Sequence, residues 1–223
     1  LETVSARDIL GVALLPGAAG PVRPGRRANR ACATTDRMAS LPTNNLSSNR
    51  NRGVVKICIV SDSHDRAPML AAAVSAARHD GAQAVVHCGD VIGAGTLKPL
   101  LALGLPVHVV HGNNLGDAMA LHRMCADSGG LLVYHGADAE LELGGRRIFA
   151  THYPHYARGI ACTGDYEIVC CGHSHRASVT QEATVSGGTT WVVNPGTIAG
   201  LHAPPTWILA DLDACEFEIR TLE

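Results

Sequence analysis

Short apolar segments that end in polar, metal-binding residue types recur along this chain, and this repetition constrains the fold more than any other feature. Residues 54–60 are apolar and β-branched, which predicts a buried strand, and Asp62 and His64 follow it directly. Apolar segments likewise precede four later groups: Gly89-Asp90, Gly112-Asn113, Thr151-His152 and Gly172-His173-Ser174-His175. Open α/β sheets place their ligands at the carboxyl ends of strands. Asp62-x-His64 alone fits a surface turn, but five such groups favour one site built from several strand ends.

Strand and helix patterns alternate through the first half of the chain beyond residue 53. Helical apolar spacing occurs at residues 67–79, 95–103 and 116–126, and strand-like segments lie between at 84–87 and 107–111. This βαβαβ order predicts a parallel sheet with right-handed crossovers. The second half is richer in strands, predicted at residues 139–143, 146–150, 166–171, 177–183, 190–193, 206–212 and 215–221, with a short helix ending near 162. The chain is therefore predicted to be an α/β protein.

The charge distribution divides the chain at about residue 52. Residues 1–52 contain eight arginines and three acidic residues among many Pro, Gly and Ala, which predicts a disordered or organelle-targeting N-terminal extension. Initiation at Met38 is a further alternative for residues 1–37. Residues 53–223 contain ten basic and seventeen acidic residues with all twelve histidines, and are predicted to form one domain.

Composition also limits the partners of this domain. Its acidic balance argues against a nucleic-acid partner, and no apolar run is long enough to cross a membrane. The eight cysteines follow no disulfide framework, so we expect reduced thiols. A cytoplasmic location is expected unless the extension is a transit peptide.

Seven side chains at the predicted strand ends are oxygen or nitrogen donors of the kinds that bind metals. They are Asp62, His64, Asp90, Asn113, His152, His173 and His175. Seven ligands are too many for one ion, and suit two ions about 3.5–4 Å apart that share a carboxylate and activate a water for phosphoryl chemistry. The expected cofactor is therefore two divalent metal ions, with Mn, Ni, Fe, Zn or Mg left open.

The order of these motifs resembles that of the calcineurin-like metallophosphoesterase superfamily. The resemblance extends over about residues 54–222 and is carried by residues 61–65, 87–90, 112–114, 151–152, 172–175 and 194–196. The nearest branch is its small phosphodiesterases, to which the retromer scaffold subunit is related. The resemblance implies a four-layer αββα sandwich and a dinuclear centre, with a bridging hydroxide that attacks phosphorus in line.

The resemblance also assigns roles by motif position. One metal would be held by Asp62, His64, Asp90 and His175, and the other by Asp90, Asn113, His152 and His173. The catalytic residues would then be Asp90, Asn113 and His152, with Asp90 bridging. Substrate contacts are expected from Asn113, Asn114, His111 and His155. We interpret Asp65 as a helix N-cap or a support for the ligands.

Two departures from the family pattern bear on the substrate. Many members carry His directly after the motif Asn as a proton donor, but Asn114 stands here and an amide cannot supply a proton. A small phosphodiester with a good leaving group would suffer least from this loss. The His-Gly-His of many members becomes His152-Tyr153-Pro154, with His155 one place further on.

A catalytically weak scaffold on the same fold, like the retromer subunit, is the alternative to an enzyme. A degenerate scaffold should have lost ligands, and all seven ligand types are present, which favours an enzyme. The sequence also allows a homo-oligomer.

Overall fold

The computed structural model describes residues 55–222, so the predictions for residues 1–52 lie outside the described part of the chain. The strands are β1 Lys56–Val60, β2 Ala82–His87, β3 Val107–Val109, β4 Leu132–Tyr134, β5 Asp138–Leu143, β6 Arg146–Thr151, β7 Ile168–Cys170, β8 Ala177–Ala183, β9 Thr189–Pro195, β10 Thr206–Asp211 and β11 Glu216–Thr221. The helices are α1 Ala67–His79, α2 Lys98–Leu103, α3 Ala118–Asp127 and α4 Pro154–Ala161, and a 3-10 turn at Ala94–Leu97 precedes α2. No helix within residues 55–222 is long and apolar enough to cross a bilayer.

The strands form two mixed sheets. The first has the order β11-β10-β1-β2-β3-β4, in which β1 to β4 are parallel and β10 pairs antiparallel with β1. The second has the order β5-β6-β7-β9-β8, with parallel strands β6, β7 and β9 between antiparallel edge strands. The first three parallel strands of the first sheet are the predicted βαβαβ unit.

Three apolar cores separate four layers. Helices α1 to α3 pack on the outer face of the first sheet through residues such as Leu70 and Leu121. Ile57 and Ile148 belong to a second core between the two sheets, and α4 covers the outer face of the second sheet through a third core that includes Ala157. Successive residues of β1 alternate between the first and second cores, as a strand buried on both faces requires. The αββα sandwich implied by the sequence is confirmed.

Two elements of the first sheet differ from the sequence prediction. The sequence analysis does not predict β4, a three-residue strand that lies shortly after a turn at Gly129 and Gly130. Helix α3 begins at Ala118 and not at residue 116, because the Asp117 side chain accepts the Ala120 N–H at 3.0 Å and caps the helix.

Of the two interpretations of Asp65, the helix N-cap is wrong, and support of the ligands stays a prediction. Arg66 occupies the cap position of α1 and makes no side-chain capping bond. Asp65 Oδ1 instead accepts the Gly93 N–H at 2.8 Å and the Thr96 hydroxyl at 3.0 Å. The carboxylate therefore joins the loop after β1 to the 3-10 turn after β2.

Candidate metal centre

The predicted ligands lie beyond the carboxyl ends of strands from both sheets. They follow β1 (Asp62, His64), β2 (Asp90), β3 (Asn113), β6 (His152) and β7 (His173, His175). Two groups of side chains each offer ligand atoms within 4.8 Å of one another: Asp62, His64 and His175, and Asp62, Asp90 and His152. The structure thus brings five of the seven predicted ligands into two groups that share Asp62, while their role as ligands stays a prediction.

Backbone hydrogen bonds continue past the ends of β1 and β2 and align the first ligands. The Asp62 N–H donates to the Gly89 carbonyl at 3.0 Å, and the His64 N–H donates to the Asp90 carbonyl at 3.0 Å. Because these bonds extend the pairing of two parallel strands, the three ligand side chains are held side by side.

In the first group, the ring of His175 is oriented toward Asp62 and His64. His175 Nδ1 lies 2.9 Å from the carbonyl oxygen of Leu201. A carbonyl only accepts, so in the neutral imidazole Nδ1 carries the hydrogen and Nε2 the lone pair. That Nε2 lies 3.2 Å from Asp62 Oδ1 and 3.3 Å from His64 Nε2. Asp62 Oδ1 is buried and accepts no hydrogen bond within residues 55–222.

The second group repeats this arrangement around His152, which is 1% exposed. Its Nδ1 lies 2.8 Å from the Cys88 carbonyl oxygen, so Nδ1 carries the hydrogen in the neutral ring. The lone pair of Nε2 then faces Asn113 Oδ1 at 3.0 Å and Asp90 Oδ1 at 3.4 Å. The ring of His173 stands next to the ring of His152, with centroids 5.1 Å apart.

Asp90 lies between the two groups. Its Oδ1 faces His152 in the second group at 3.4 Å, and its Oδ2 faces His64 in the first at 3.7 Å. Asn114 holds this carboxylate through both oxygens, because its backbone N–H donates to Oδ1 at 2.8 Å and its side-chain amide donates to Oδ2 at 2.7 Å. Asp90 is therefore within reach of both groups, and its bridging role stays a prediction.

Five of the predicted ligands have left-handed backbone conformations. Their φ angles lie between 39° and 67°: Asp62, His64, Asp90, His173 and His175. Asp and His adopt this region more readily than most residues, yet it remains uncommon outside glycine. Such outliers cluster at functional sites, where the surrounding structure holds them in place.

Two glycines leave room for the ligand side chains. A Cβ atom on Gly112 would overlap Asp90 Oδ1 and would lie 2.8 Å from His152 Cε1. A Cβ atom on Gly172 would overlap the Ser61 hydroxyl and would lie 2.8 Å from Asp62 Oδ2. These positions therefore need glycine for close approach and not for an unusual φ.

His87 is a neutral, fully buried residue that binds the loops carrying the predicted ligands. Burial, and next the neighbouring His152, lower its pKa to about 3. Its Nδ1 accepts the Gly89 N–H at 3.2 Å, so Nε2 carries the hydrogen and donates to the Ser63 hydroxyl at 3.0 Å. The ring thereby ties the loop after β1 to the loop after β2.

The four predicted substrate residues differ in exposure and in their hydrogen-bond partners. Asn113 is exposed beside His152, whereas the Asn114 amide already donates to Asp90. His111 Nδ1 lies 2.6 Å from the Tyr134 hydroxyl, toward β4. His155 is exposed on the first turn of α4. Substrate contact by these residues stays a prediction.

Three residues near the centre are not predicted as functional from the sequence. The Thr197 hydroxyl donates to the Asp62 carbonyl at 3.0 Å and so ties the loop after β9 to the first ligand. The His202 ring stacks on the His175 ring, with centroids 6.0 Å apart. The Tyr153 ring lies 5.1 Å from the His173 ring. In the sequence, Tyr153 is marked only by its position in His152-Tyr153-Pro154, where many family members have His-Gly-His.

The donor set fits two divalent cations. Carboxylate, imidazole and amide donors suit first-row transition metals, and the ring hydrogens bound to carbonyls orient the His152 and His175 lone pairs toward the ligand groups. A buried acceptor without a donor costs about 1–3 kcal/mol, and a bound cation would offset this cost at Asp62 Oδ1.

The family comparison agrees with this architecture. Residues 55–214 match the family model of the calcineurin-like phosphoesterase superfamily domain. The match spans more than half of the chain, and the chain belongs to this superfamily. The predicted superfamily is therefore confirmed.

Individual phosphoesterases are similar to this chain in sequence and in fold. Phosphodiesterase MJ0936 of Methanocaldococcus jannaschii is 27% identical over 172 residues, which cover 76% of this chain and 100% of the relative. The solved structure of an archaeal phosphodiesterase has a TM-score of 0.66 at 26% identity, and the match covers 75% of this chain and 100% of that one. The phosphoesterase Yfce from E. coli shares the fold, with a TM-score of 0.53 at 19% identity over 76% of this chain and 100% of its own.

Proposed function

We propose that this protein is a metal-dependent phosphoesterase with a dinuclear centre and that it prefers phosphodiesters. The observation that carries the proposal is the convergence of buried acceptor atoms on two sides of Asp90, with Asp62 Oδ1 and the lone pair of His152 among them. The phosphodiesterase relative at 27% identity supports the choice of reaction.

Two bound cations would lower the pKa of a shared water and neutralise charge on the phosphoryl oxygens. The chain's own residues prepare the site for that role. Asp90 presents one oxygen to each ligand group, while Asn114 fixes the carboxylate through two hydrogen bonds. Asn113 adds a neutral oxygen beside His152, which limits the negative charge near an anionic substrate.

The lack of a proton donor after Asn113 favours esters with good leaving groups, and the phosphodiesterase relative favours diesters among them. Asn114 stands there, its side-chain amide donates to Asp90 at 2.7 Å, and an amide does not give up a proton to a leaving group. A leaving group that departs as a stable anion needs no proton. Diesters with acidic alcohols or phenols are therefore the favoured substrates.

The test combines metal content with hydrolysis. Protein stripped with chelator and reloaded with Mn²⁺, Ni²⁺, Fe²⁺, Zn²⁺ or Mg²⁺ is assayed on bis(p-nitrophenyl) phosphate and p-nitrophenyl phosphate. We expect about two metal ions per chain, faster diester hydrolysis, and loss of activity in His152→Ala. His79→Ala is the matched control, because this histidine is exposed at the end of α1.

A result in which metal-loaded protein hydrolyses neither ester would refute the enzyme and leave the scaffold alternative. The proposal includes a small phosphoester as partner and a cytoplasmic location, and it includes neither nucleic acid nor membrane.

A further inference from the structure

Three aromatic side chains cluster at the start of α4, beside the candidate centre. Tyr153 precedes the helix, and His155 and Tyr156 lie in its first turn. The ring centroids of His155 and Tyr156 are 4.2 Å apart, and each lies 5.5 Å from the Tyr153 ring. Tyr156 is 58% exposed, so its ring is largely in contact with solvent.

Tyr153 connects this cluster to the predicted ligands of the second metal. Its ring centroid lies 5.1 Å from that of His152 and 5.1 Å from that of His173. The same ring touches the two α4 aromatics on its other side. The aromatic surface is therefore continuous from the candidate centre to the outer face of α4.

A cavity of about 330 Å³ opens beside this cluster. The residues that line it include His155, Tyr156, Phe149, Ile160 and Asp138. This volume lies in the range of small-molecule sites, which combine apolar walls with a few polar groups that orient the ligand.

Packing against the apolar core does not account for the exposed ring of Tyr156. The core beneath α4 consists of Phe149, Ala157 and Ala161 with residues of β7 and β9, and Tyr156 is not among the residues packed on it. An exposed aromatic ring next to a cavity instead provides a face on which a planar group can stack.

We propose that this cavity binds a planar aromatic substituent of the phosphodiester substrate, stacked on Tyr156 and His155. The Asp138 carboxylate accepts a hydrogen bond from an N–H or O–H on the edge of that substituent. Tyr153, whose ring lies near those of His173 and Tyr156, links this subsite to the candidate centre. The proposal rests on the phosphoesterase function proposed above. A nucleobase and a simple aryl ring both offer a planar face that can stack on Tyr156, and only the nucleobase also carries an N–H for Asp138.

Three diesters with the same leaving group test the subsite. Methyl, phenyl and thymidine-5′ p-nitrophenyl phosphates all release p-nitrophenolate, so only the retained substituent differs. Removal of one stacking partner weakens binding of a ring by about tenfold, within the range for base–aromatic stacking. In Tyr156→Ala we expect kcat/KM to fall about tenfold for the phenyl or thymidine diester, or both, and less than twofold for the methyl diester.

The matched control is Tyr156→Phe, which keeps the ring and should keep the wild-type preference. A loss confined to the phenyl diester identifies an aryl subsite, and one confined to the thymidine diester identifies a nucleobase subsite. Equal losses for all three diesters, or no loss for any, would overturn the proposal.

Binding separates a failure of this subsite from a failure of the proposed function. If the wild-type protein hydrolyses none of the diesters, the proposed function fails, and calorimetric titration with phenyl phosphate and methyl phosphate then judges the subsite. Tighter binding of phenyl phosphate that is lost in Tyr156→Ala and kept in Tyr156→Phe supports the subsite. Equal binding of the two ligands, or no binding of either, refutes it.

Discussion

Substitution of Gly112 by alanine is a direct test of how the candidate centre is packed. The added methyl carbon would overlap Asp90 Oδ1 and lie 2.8 Å from both the Asp90 backbone nitrogen and His152 Cε1. Neither neighbour can retreat easily, since Asp90 is 2% exposed and the His152 ring is held by the Cys88 carbonyl at 2.8 Å. The strand ends must therefore move.

The size of the effect follows from these distances. Non-bonded carbon contacts are optimal near 3.5–4.0 Å, so relief of a 2.8 Å contact requires a shift of about 0.7 Å. A misplacement of about 1 Å at a reacting site costs on the order of 100-fold in rate, or about 2.7 kcal/mol. Overpacking also destabilises a buried site by about 1–3 kcal/mol. We expect Gly112→Ala to fold with a lowered melting temperature, to bind metal weakly, and to lose about 100-fold in kcat/KM.

The assay measures metal content by mass spectrometry, diester hydrolysis at saturating metal, and the melting temperature by circular dichroism. Gly95→Ala is the control, because Gly95 is exposed and a Cβ atom there meets nothing within 4 Å. If folded Gly112→Ala retains two metals and a rate within about threefold of wild type, Asp90 and His152 are not close-packed against this glycine and the reasoning is refuted.

Asn114→Ala removes the amide that donates to Asp90 Oδ2 at 2.7 Å, and we expect metal affinity or kcat/KM to fall about 10–100-fold. Metal titration and diester hydrolysis check this, and wild-type values would show that the bond does not position Asp90. Burial, and next the neighbouring His135, lower the pKa of His108 from 6.5 to about 4. Between these two values the unfolded imidazole binds a proton that the folded imidazole does not bind. The free energy of unfolding is therefore highest above pH 6.5 and falls by about 3 kcal/mol as the pH falls toward 4. Denaturant unfolding at pH 7 and pH 4 should show a smaller loss in His108→Gln than in wild type, and equal losses would contradict the prediction.

The positions of the ligands along the chain are visible in the sequence because each follows an apolar strand. Asp62, Asp90 and His152 end segments whose burial comes from the hydrophobic effect, which leaves a regular pattern of apolar residues. Since parallel strands align their carboxyl ends, the pattern also predicts that the ligands lie near one another. The α/β class and the clustering of ligands could therefore be predicted.

The partners of polar side chains could not be predicted in the same way. Asp65 binds Gly93 and Thr96 across 28 and 31 residues, and no local pattern distinguishes this from a helix cap. Asn114 resembles a substrate contact by motif position, but its amide is directed to Asp90 by the path of the loop after β3. Such hydrogen bonds depend on distances between loops, and sequence periodicity carries no information about them.

One strand of the first sheet was missed by sequence reasoning. Strand β4 has three residues and is defined by its pairing with β3. The β4 residue Tyr134 also binds His111, so the missed strand decides the direction of a predicted substrate residue.

The left-handed strand ends that carry predicted ligands are held by hydrogen bonds from neighbouring loops. Ile92, two residues after Asp90, has φ 68°, which is costly for a β-branched residue. It is held by a bridge to Leu115 and by the Gly116 N–H, which donates to its carbonyl at 3.2 Å. Asp62 is held in the same way, since Thr197 and Ala199 donate to its carbonyl from the loop after β9. The left-handed ligand conformations persist because neighbouring loops, themselves anchored by the three apolar cores, supply these bonds. Substitutions that loosen these supporting loops should therefore weaken metal binding even where they leave every ligand in place.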